Sequence, residues 1–219
     1  MKTYNLIPKK KRKKAFTTNS RHPFPKYPSL IRNIVPSFPD HIWATDITYI
    51  RLPKGFCYLA AIIDMFTRNI RGWSIMNTLA EELVLEALNR ALKKGTPMFH
   101  HSDRGVQYCA TEYVRKLKKK NIQISMSDKG EPTQNPYAES FFRTLKVEEV
   151  YLFEYRTIEE AKASITKFIT VVYAKKRLHS SLGYQTPKEF EDAWRKQKGQ
   201  LLLIHNDPPI EENAVSAVS

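Results

Sequence analysis

The chain is predicted to fold as an α/β domain with a mixed five-stranded sheet that helices cover on both faces. Three strand-like segments follow one another from residue 42, and the turns between them are short enough for antiparallel neighbours. Helical and strand-like segments then alternate, which makes the sheet mixed and places helices on its faces. The length of 219 residues suits one such domain with extensions at its ends.

The strands are predicted from runs that are rich in β-branched and aromatic residues. The run 42–51 has this composition along most of its length and is expected to be a central strand. Pro53 and Gly55 mark the turn behind it. The five predicted strands are 42–51, 56–64, 69–76, 98–102 and 122–126.

Helices are predicted where apolar residues recur at helical spacing after a capping signal. Thr78, Thr157 and Thr186 each precede a glutamate by three residues, which is the pattern of a capping box. Asn135 is expected to cap a further helix, because Pro136 behind it suits the first helical position. A helix is also predicted over 112–120.

The charge of the chain indicates its class of partner. There are 36 lysines and arginines against 22 acids, a formal charge of +14 with a pI near 9.7. An extended polyanion is therefore the expected partner, although charge alone does not separate DNA from RNA or from an anionic membrane. The longest apolar stretch, 58–66, is too short to cross a bilayer and contains Asp64. Cys57 and Cys109 form no CxxC pair, so we expect reduced structural cysteines in a soluble cytoplasmic protein.

Residues 1–41 are predicted to form an extended, basic, proline-rich arm before the folded domain. A dense run of cations in this arm can neutralise DNA phosphates without reading bases, and the alternative is a merely solvated charge run. We expect the domain, with its C-terminal helices, to cover 42–199, and a disordered tail to cover 200–219. The predicted DNA-binding run is Lys9, Lys10, Lys11, Arg12, Lys13 and Lys14.

Three carboxylates are the candidate catalytic residues. Asp46 interrupts the first strand, where aspartate is disfavoured and a carboxylate needs a partner. Asp103 follows the fourth strand directly, at the point where a loop must begin. Glu139 lies in the first turn of the helix that starts at Pro136.

The types of residue in this set favour metal chemistry. Two acids on strands and one on a helix, without a cluster of His or Cys, form an all-oxygen site for Mg²⁺ or Mn²⁺ rather than zinc. Two such ions about 3.5–4 Å apart can activate an attacking oxygen and stabilise the leaving oxygen during displacement at phosphorus. Each acid alone has a structural alternative, since Asp103 can cap a loop and Glu139 can favour a helix N-terminus.

Four sequence blocks contain these acids and a downstream motif. The blocks are Trp43-x-x-Asp46-x-Thr48-Tyr49-Ile50, His101-Ser102-Asp103-Arg104-Gly105-x-Gln107-Tyr108, Asn135-x-x-x-Glu139-Ser140-Phe141-Phe142-x-x-Leu145-Lys146 and Arg177-x-His179-x-x-Leu182-Gly183-Tyr184-x-Thr186-Pro187. Together they resemble the Asp-Asp-Glu transposases and retroviral integrases, in particular the second reading-frame product of bacterial insertion sequences. The resemblance covers most of residues 1–195.

The resemblance implies a fold, an activity and partners. The fold would be ribonuclease H-like, with the first strand central and the fourth beside it, so that Asp46 and Asp103 come together. The activity would be metal-dependent cleavage and strand transfer of DNA, with the three acids binding Mg²⁺ or Mn²⁺. The partners would be DNA and further copies of the chain. A companion protein or upstream region would supply the helix-turn-helix domain, which this chain starts too late to contain.

Several neighbouring residues have open interpretations. Arg104, Arg143 and Lys146 are expected to contact DNA phosphates. Gly105 is expected to provide backbone freedom after Asp103. His101 contacts substrate or metal, or is a paired structural histidine, which is the commoner case.

Three alternatives concern a fourth acid and the function. Asp64 is expected to cap the turn toward Arg68 rather than to bind metal. For the whole chain, one alternative function is a ribonuclease H-like nuclease without strand transfer. The other is a catalytically silent DNA-binding remnant of a transposase.

Overall fold

The computed structural model describes residues 22–128 and 134–205, with side chains up to residue 200. Its centre is a five-stranded sheet with the order β3-β2-β1-β4-β5. The strands β1, β2 and β3 form antiparallel pairs, whereas β4 pairs in parallel with both β1 and β5. The predicted mixed sheet with a central first strand is therefore confirmed. The strands are β1 (Ile42–Arg51), β2 (Phe56–Asp64), β3 (Ile70–Met76), β4 (Phe99–Ser102) and β5 (Gln123–Met126).

Helices cover both faces of this sheet. The predicted helix at 112–120 is α3, and a short helix that the sequence did not predict, α2, precedes it. Two helices continue into π-helical turns, α4 through Lys146–Val150 and α5 through Phe168–Tyr173. The helices are α1 (Glu81–Leu92), α2 (Val106–Cys109), α3 (Thr111–Lys119), α4 (Pro136–Leu145), α5 (Ile158–Lys167) and α6 (Pro187–His205).

The alternation of side chains along β1 divides the core into two layers. Ile42 and Ala44 point to one face, where they join a cluster that contains Phe141 of α4. Trp43 points to the opposite face, where it joins a cluster that contains Leu88 of α1. Both faces of the central strand are therefore buried over most of its length.

The close contact between β3 and α1 depends on Gly72. A Cβ atom at this position would lie 2.1 Å from the carbonyl oxygen of Ala87 and 2.7 Å from the backbone nitrogen of Ala91. Both are backbone atoms of a buried helix and cannot move aside as a flexible side chain can. The absent side chain therefore lets the helix lie directly on the strand.

Two of the three predicted capping boxes are present. Thr157 accepts a hydrogen bond from the backbone N–H of Glu160, and the hydroxyl of Thr186 accepts one from the backbone of Glu189. The prediction at Thr78 was wrong, because α1 begins at Glu81 after Ala80 and has no side-chain cap. The Glu81 carboxylate instead accepts a hydrogen bond from the backbone of Tyr113, a tertiary contact that the local pattern does not contain.

An ionic cluster around Arg71 joins three parts of the chain. The Arg71 side chain is 6% exposed, and its guanidinium lies 2.9 Å from Asp64 at the end of β2 and 2.9 Å from Glu191 of α6. Its Nε atom lies 2.8 Å from Asp40 in the segment before β1. Burial raises the pKa of Asp40, and the Arg71 cation opposes that rise. The cluster therefore fastens α6 and the segment before β1 to the same edge of the sheet.

The described part of the predicted arm lies against the folded domain. The carbonyl of Pro28 accepts a hydrogen bond from the backbone of Met126, and the backbone of Leu30 donates one to the Ser125 hydroxyl. These contacts cover the exposed edge of β5, where unpaired backbone groups are otherwise open to another chain. The basic run Lys9 to Lys14 lies outside the described residues.

The remaining predictions concern cysteines, membranes and the C-terminal region. Cys57 and Cys109 are unpaired and buried, as predicted, and burial raises the pKa of each thiol to about 11. Within the described ranges, no helix has the length and apolar character that crossing a membrane requires. Helix α6 extends to His205, past the expected boundary of the domain at residue 199. Residues 206–219 of the predicted tail are outside the residues that the structure describes.

Replacing Arg71 with methionine is expected to lower the free energy of unfolding by about 3–5 kcal/mol, because buried carboxylates then lose their cation. Urea unfolding measures this change. Arg115→Met is the matched control, since Arg115 pairs with Glu112 on an exposed helix face and contributes little. Equal unfolding midpoints for the two variants would contradict the role given to the Arg71 cluster.

Candidate active site

The pairing of β1 with β4 determines where Asp46 lies. The parallel pairs run from Ile42 with Phe99 to Ala44 with His101. If this register is continued by two residues, Asp46 lies beside Asp103, the residue immediately after β4. Neighbouring strands lie about 4.8 Å apart, so the two carboxylates come to the same end of the sheet.

The backbone behind Asp103 holds its carboxylate in place. The N–H of Gly105 donates a hydrogen bond of 2.9 Å to Asp103 Oδ1. The expectation that Gly105 provides backbone freedom was wrong, because its φ of −66° and ψ of 145° are open to any residue. Its role is space: a Cβ atom at Gly105 would lie 2.9 Å from Asp103 Oδ1 and would displace the carboxylate.

Helix α4 carries Glu139 to this end of the sheet. The helix begins at Pro136, as predicted, and Glu139 lies in its first turn. Ala138 and Phe141 are buried on either side of Glu139 and pack on the face of the sheet that includes Ala44. Glu139 itself is half-buried, on the boundary between the core and solvent.

The electrostatics of Asp46 depend on its burial and on the other two carboxylates. Burial raises the pKa of Asp46 to about 7, and the charges of Asp103 and Glu139 contribute in the same direction. Two influences oppose the rise: the Ile47 N–H, which donates a hydrogen bond of 2.7 Å to Asp46, and the Lys146 cation. The fold therefore concentrates negative charge at Asp46, and a bound cation would relieve it.

The donor set fits a hard divalent cation by its chemistry. Carboxylate oxygens are the ligands that Mg²⁺ and Mn²⁺ prefer, and two of these three acids are fixed by short backbone hydrogen bonds. Across the part of the chain that the structure describes, however, no three His, Cys, Asp or Glu side chains lie close enough together to hold one ion. The acids are near enough to repel one another but do not converge on a single point.

His101 has a structural role. Its ring is completely buried, and its two nitrogens lie 2.9 Å from the Ser125 hydroxyl and 3.0 Å from the Ser127 hydroxyl. Burial lowers the pKa of His101 to about 4, so the ring is neutral near pH 7. The side chain therefore joins β4 to β5 and to the loop behind β5, and has no free nitrogen for a ligand.

Asp64 is structural as well, as expected. Its Oδ1 atom accepts hydrogen bonds from the backbone of Phe66 and Thr67, and its Oδ2 atom pairs with Arg71. These contacts cap the turn between β2 and β3. The carboxylate is completely buried and belongs to the ionic cluster rather than to the three-acid site.

The predicted DNA-binding residues have different surroundings. Arg104 donates to Asp128 at 3.0 Å, so the cation already has a carboxylate partner. Arg143 is exposed on α4. The Nζ atom of Lys146 lies 4.9 Å from the centre of the Tyr49 ring, and the charge of Lys146 lowers the pKa of Asp46. Lys146 therefore lies within the electrostatic field of the acids, and its contact with DNA phosphate stays a prediction.

Two residues near the acids make contacts that the sequence did not predict. The phenol of Tyr108 lies 3.3 Å from the Thr45 hydroxyl, and burial together with Asp46 raises its pKa, so it stays protonated. Asn135 precedes α4 as expected, but its side chain makes no capping bond. Its amide donates instead to the carbonyl of Thr45, a partner too distant in sequence for a local pattern to indicate.

Comparisons with known proteins agree with this arrangement. Two family models, both described as "Integrase core domain", match residues 36–132 and 120–187. The IS600 uncharacterized 31 kDa protein of Shigella sonnei is 36% identical over 89% of this chain and 73% of its own length. The IS904 transposase of Lactococcus lactis is 39% identical, covering 75% of this chain and 66% of its own length. The transposase InsF of IS3A from Escherichia coli is 38% identical over 71% of this chain and 55% of its own length.

Solved structures show the same fold. The catalytic core domain of HTLV-2 integrase, determined in complex with magnesium, matches with a TM-score of 0.55 at 15% identity, over 72% of this chain and 99% of that one. The catalytic core domain of BIV integrase matches with a TM-score of 0.55 at 20% identity, over 74% of this chain and 99% of that one. The ribonuclease H-like fold predicted from the sequence is therefore confirmed.

These findings establish the family. The chain spans between about half and three quarters of the length of the curated relatives it matches. The two family models together cover well over half of the chain and include all three acids. The chain therefore belongs to the integrase core domain family, among the transposases of bacterial insertion sequences.

Proposed function

We propose that this chain is the catalytic core of a transposase, which cuts DNA at a transposon end and joins the freed 3′-hydroxyl to target DNA. Asp46, Asp103 and Glu139 are the catalytic residues of the proposal. The observation that carries it is the strand register, which continues from Ala44 and His101 to bring Asp46 beside Asp103, while α4 carries Glu139 in its first turn. Burial, together with the charges of the other two carboxylates, raises the pKa of Asp46, which suits a site whose working state contains a cation.

The three acids would hold the metal of this site. The proposed metal is Mg²⁺ or Mn²⁺, and the proposed number of ions is two. When bound, the metal would activate an attacking oxygen and stabilise charge on the leaving oxygen. Backbone N–H groups of this protein place two of the oxygen donors: that of Gly105 holds the Asp103 carboxylate, and that of Ile47 holds the Asp46 carboxylate. Magnesium in the solved HTLV-2 integrase core supports the choice of ion.

DNA is the proposed substrate, and cations around the acids would contact its phosphates. Lys146 and Arg143 follow Glu139 along α4 and its continuation, and Arg104 lies beside Asp103. Because Arg104 is paired with Asp128, a phosphate must compete with that carboxylate for the guanidinium. The basic run at residues 9–14 adds phosphate contacts that position DNA without specifying its sequence.

Self-association and a companion protein complete the proposal. The segment after α4 exposes four large apolar side chains, a pattern that marks contact surfaces on soluble proteins. We infer that further copies of the chain pair two DNA ends, and that a separate helix-turn-helix region reads the end sequence. The exposed side chains are Val147, Tyr151, Leu152 and Phe153.

One assay separates this function from its alternatives. A labelled transposon-end duplex is incubated with the chain, target DNA and Mn²⁺, and the products are resolved by size. Joined products support the transposase. Cleavage without joining indicates a nuclease, and binding without cleavage indicates a silent remnant.

Asp46→Asn, Asp103→Asn and Glu139→Gln are each expected to reduce strand joining by at least about a thousand-fold, because each removes a charged oxygen ligand worth several kcal/mol in the transition state. The rate of joined product in the same assay measures the reduction. Glu82→Gln is the matched control, because it changes an exposed acid of α1, which packs on the opposite face of the sheet from α4. Near wild-type joining by any one of the three variants would disprove the assignment.

The stability of the metal-free protein is expected to depend on pH through Asp46. Its pKa is about 7 in the folded state against an ordinary value of 3.8, so the folded protein loses stability as pH rises through this interval. Asp46→Asn removes the titrating group and should therefore be more stable than the wild type, by a margin that widens from pH 4 to pH 7 and then stays constant. Urea unfolding in EDTA at a series of pH values measures the margin, and a margin independent of pH contradicts the expectation.

Replacing Lys9 to Lys14 with alanine is expected to flatten the salt dependence of DNA binding. The slope of log affinity against log salt becomes shallower by about 0.9 for each phosphate that the protein no longer neutralises. Fluorescence anisotropy with a labelled duplex measures the slope. Alanine at the exposed Lys196 and Lys198 of α6 is the control, and the change in slope is compared for each cation removed. An unchanged slope would place the phosphate contacts elsewhere on the protein.

A further inference from the structure

The side chain of Asn135 links two elements of the three-acid site. Asn135 is 6% exposed and directly precedes α4. Its Nδ2 atom donates a buried hydrogen bond of 2.9 Å to the backbone carbonyl of Thr45 in β1. Asparagine before a helix ordinarily bonds the first turn of its own helix, and here the side chain makes no such bond.

The acceptor of this bond adjoins Asp46. The parallel pairing of β1 and β4 ends at Ala44 and His101, and Thr45 is the next residue of β1. The Thr45 hydroxyl donates to the carbonyl of Ala61 in β2 at 3.0 Å, so this point of the strand is held from its other side too. The amide of Asn135 is therefore attached to a rigid position one residue before a catalytic acid.

The other end of the link leads to Glu139. The backbone N–H of Glu139 donates to the carbonyl of Asn135 at 3.3 Å, which closes the first turn of α4. The apolar packing of Ala138 and Phe141 holds the helix against the sheet. The Asn135 amide adds a directional bond from the start of the helix to β1, so it contributes to setting how far along the sheet Glu139 lies.

The other polar atom of the amide is buried as well. Among the residues that the structure describes, Asn135 Oδ1 has no hydrogen-bond partner, so the bond to Thr45 is the contact through which this side chain connects α4 to the sheet.

We propose that Asn135 is a positioning residue, whose amide fixes Glu139 relative to Asp46. The inference rests on the proposed function, because it takes these two acids as members of one metal-binding set. When the amide is removed, Glu139 shifts relative to β1, and the metal binds more weakly although the domain stays folded. Supporting residues of this kind change metal affinity by about 10–100-fold when they are replaced.

The test measures Mn²⁺ affinity by titration calorimetry of the full chain without DNA. Four proteins are compared: the wild type, Asn135→Ser, Glu139→Gln and the double variant. Serine is also a favoured residue before a helix, so it preserves the helix start while removing the amide. Asn135→Ser is expected to weaken Mn²⁺ binding by about tenfold or more in the wild type and to have no further effect in Glu139→Gln.

Asn69→Ser is the matched control. The Asn69 amide also donates to a distant backbone carbonyl, that of Pro187 at 3.1 Å, but it belongs to the Arg71 cluster rather than to the acids. Its replacement is expected to lower thermal stability and to leave the Mn²⁺ affinity unchanged. Asn135→Ala is measured in parallel, in case the serine hydroxyl itself bonds to Thr45.

The outcomes separate the two levels of the argument. If Glu139→Gln leaves the Mn²⁺ affinity unchanged, the proposed function fails. If Glu139→Gln weakens binding and neither Asn135 variant does, the proposed function stands and the positioning role is wrong. Equal weakening by Asn135→Ser in both backgrounds would mean a general loss of structure, which also overturns the positioning role.

Discussion

The parallel pairing of β1 with β4 determines where negative charge collects in this protein. Its register, continued by two residues beyond Ala44 and His101, brings Asp46 of β1 beside Asp103, which directly follows β4. Helix α4 adds Glu139 from the face on which Phe141 is buried. Burial raises the pKa of Asp46, and the charges of Asp103 and Glu139 add to that rise. Burial of apolar surface on both faces of the sheet offsets this unfavourable energy.

Two acids of neighbouring strands differ in how the protein satisfies their charge. Asp64 is completely buried at the end of β2, yet Arg71 and three backbone N–H groups satisfy its carboxylate. Asp46 accepts a hydrogen bond from the adjacent backbone of Ile47 and lies in the field of two further acids. The first arrangement stabilises the fold through a completed ionic cluster. The second leaves negative charge that a cation from solution can neutralise.

The cations around the site are already engaged by the protein itself. Arg104 pairs with Asp128, and Lys146 lies over the Tyr49 ring within the field of the acids. These contacts hold the long side chains near the positions from which they would meet a phosphate. When DNA binds in the proposed function, these cations therefore exchange their present partners for phosphates. The DNA affinity is then sensitive to salt.

Local sequence patterns predicted the strands and most of the helices, and they single out the three acids as the candidate site. Apolar periodicity and the capping residues Thr157 and Thr186 are local signals, and an aspartate inside a β-branched run is conspicuous without any coordinates. Tertiary structure decided the rest, because it depends on partners distant along the chain. Glu81 bonds to Tyr113 and leaves Thr78 without its predicted cap, and Gly105 provides space for a carboxylate instead of an unusual turn. No local pattern contains the Asn135 amide bond to Thr45, since the two residues meet only when α4 packs on β1.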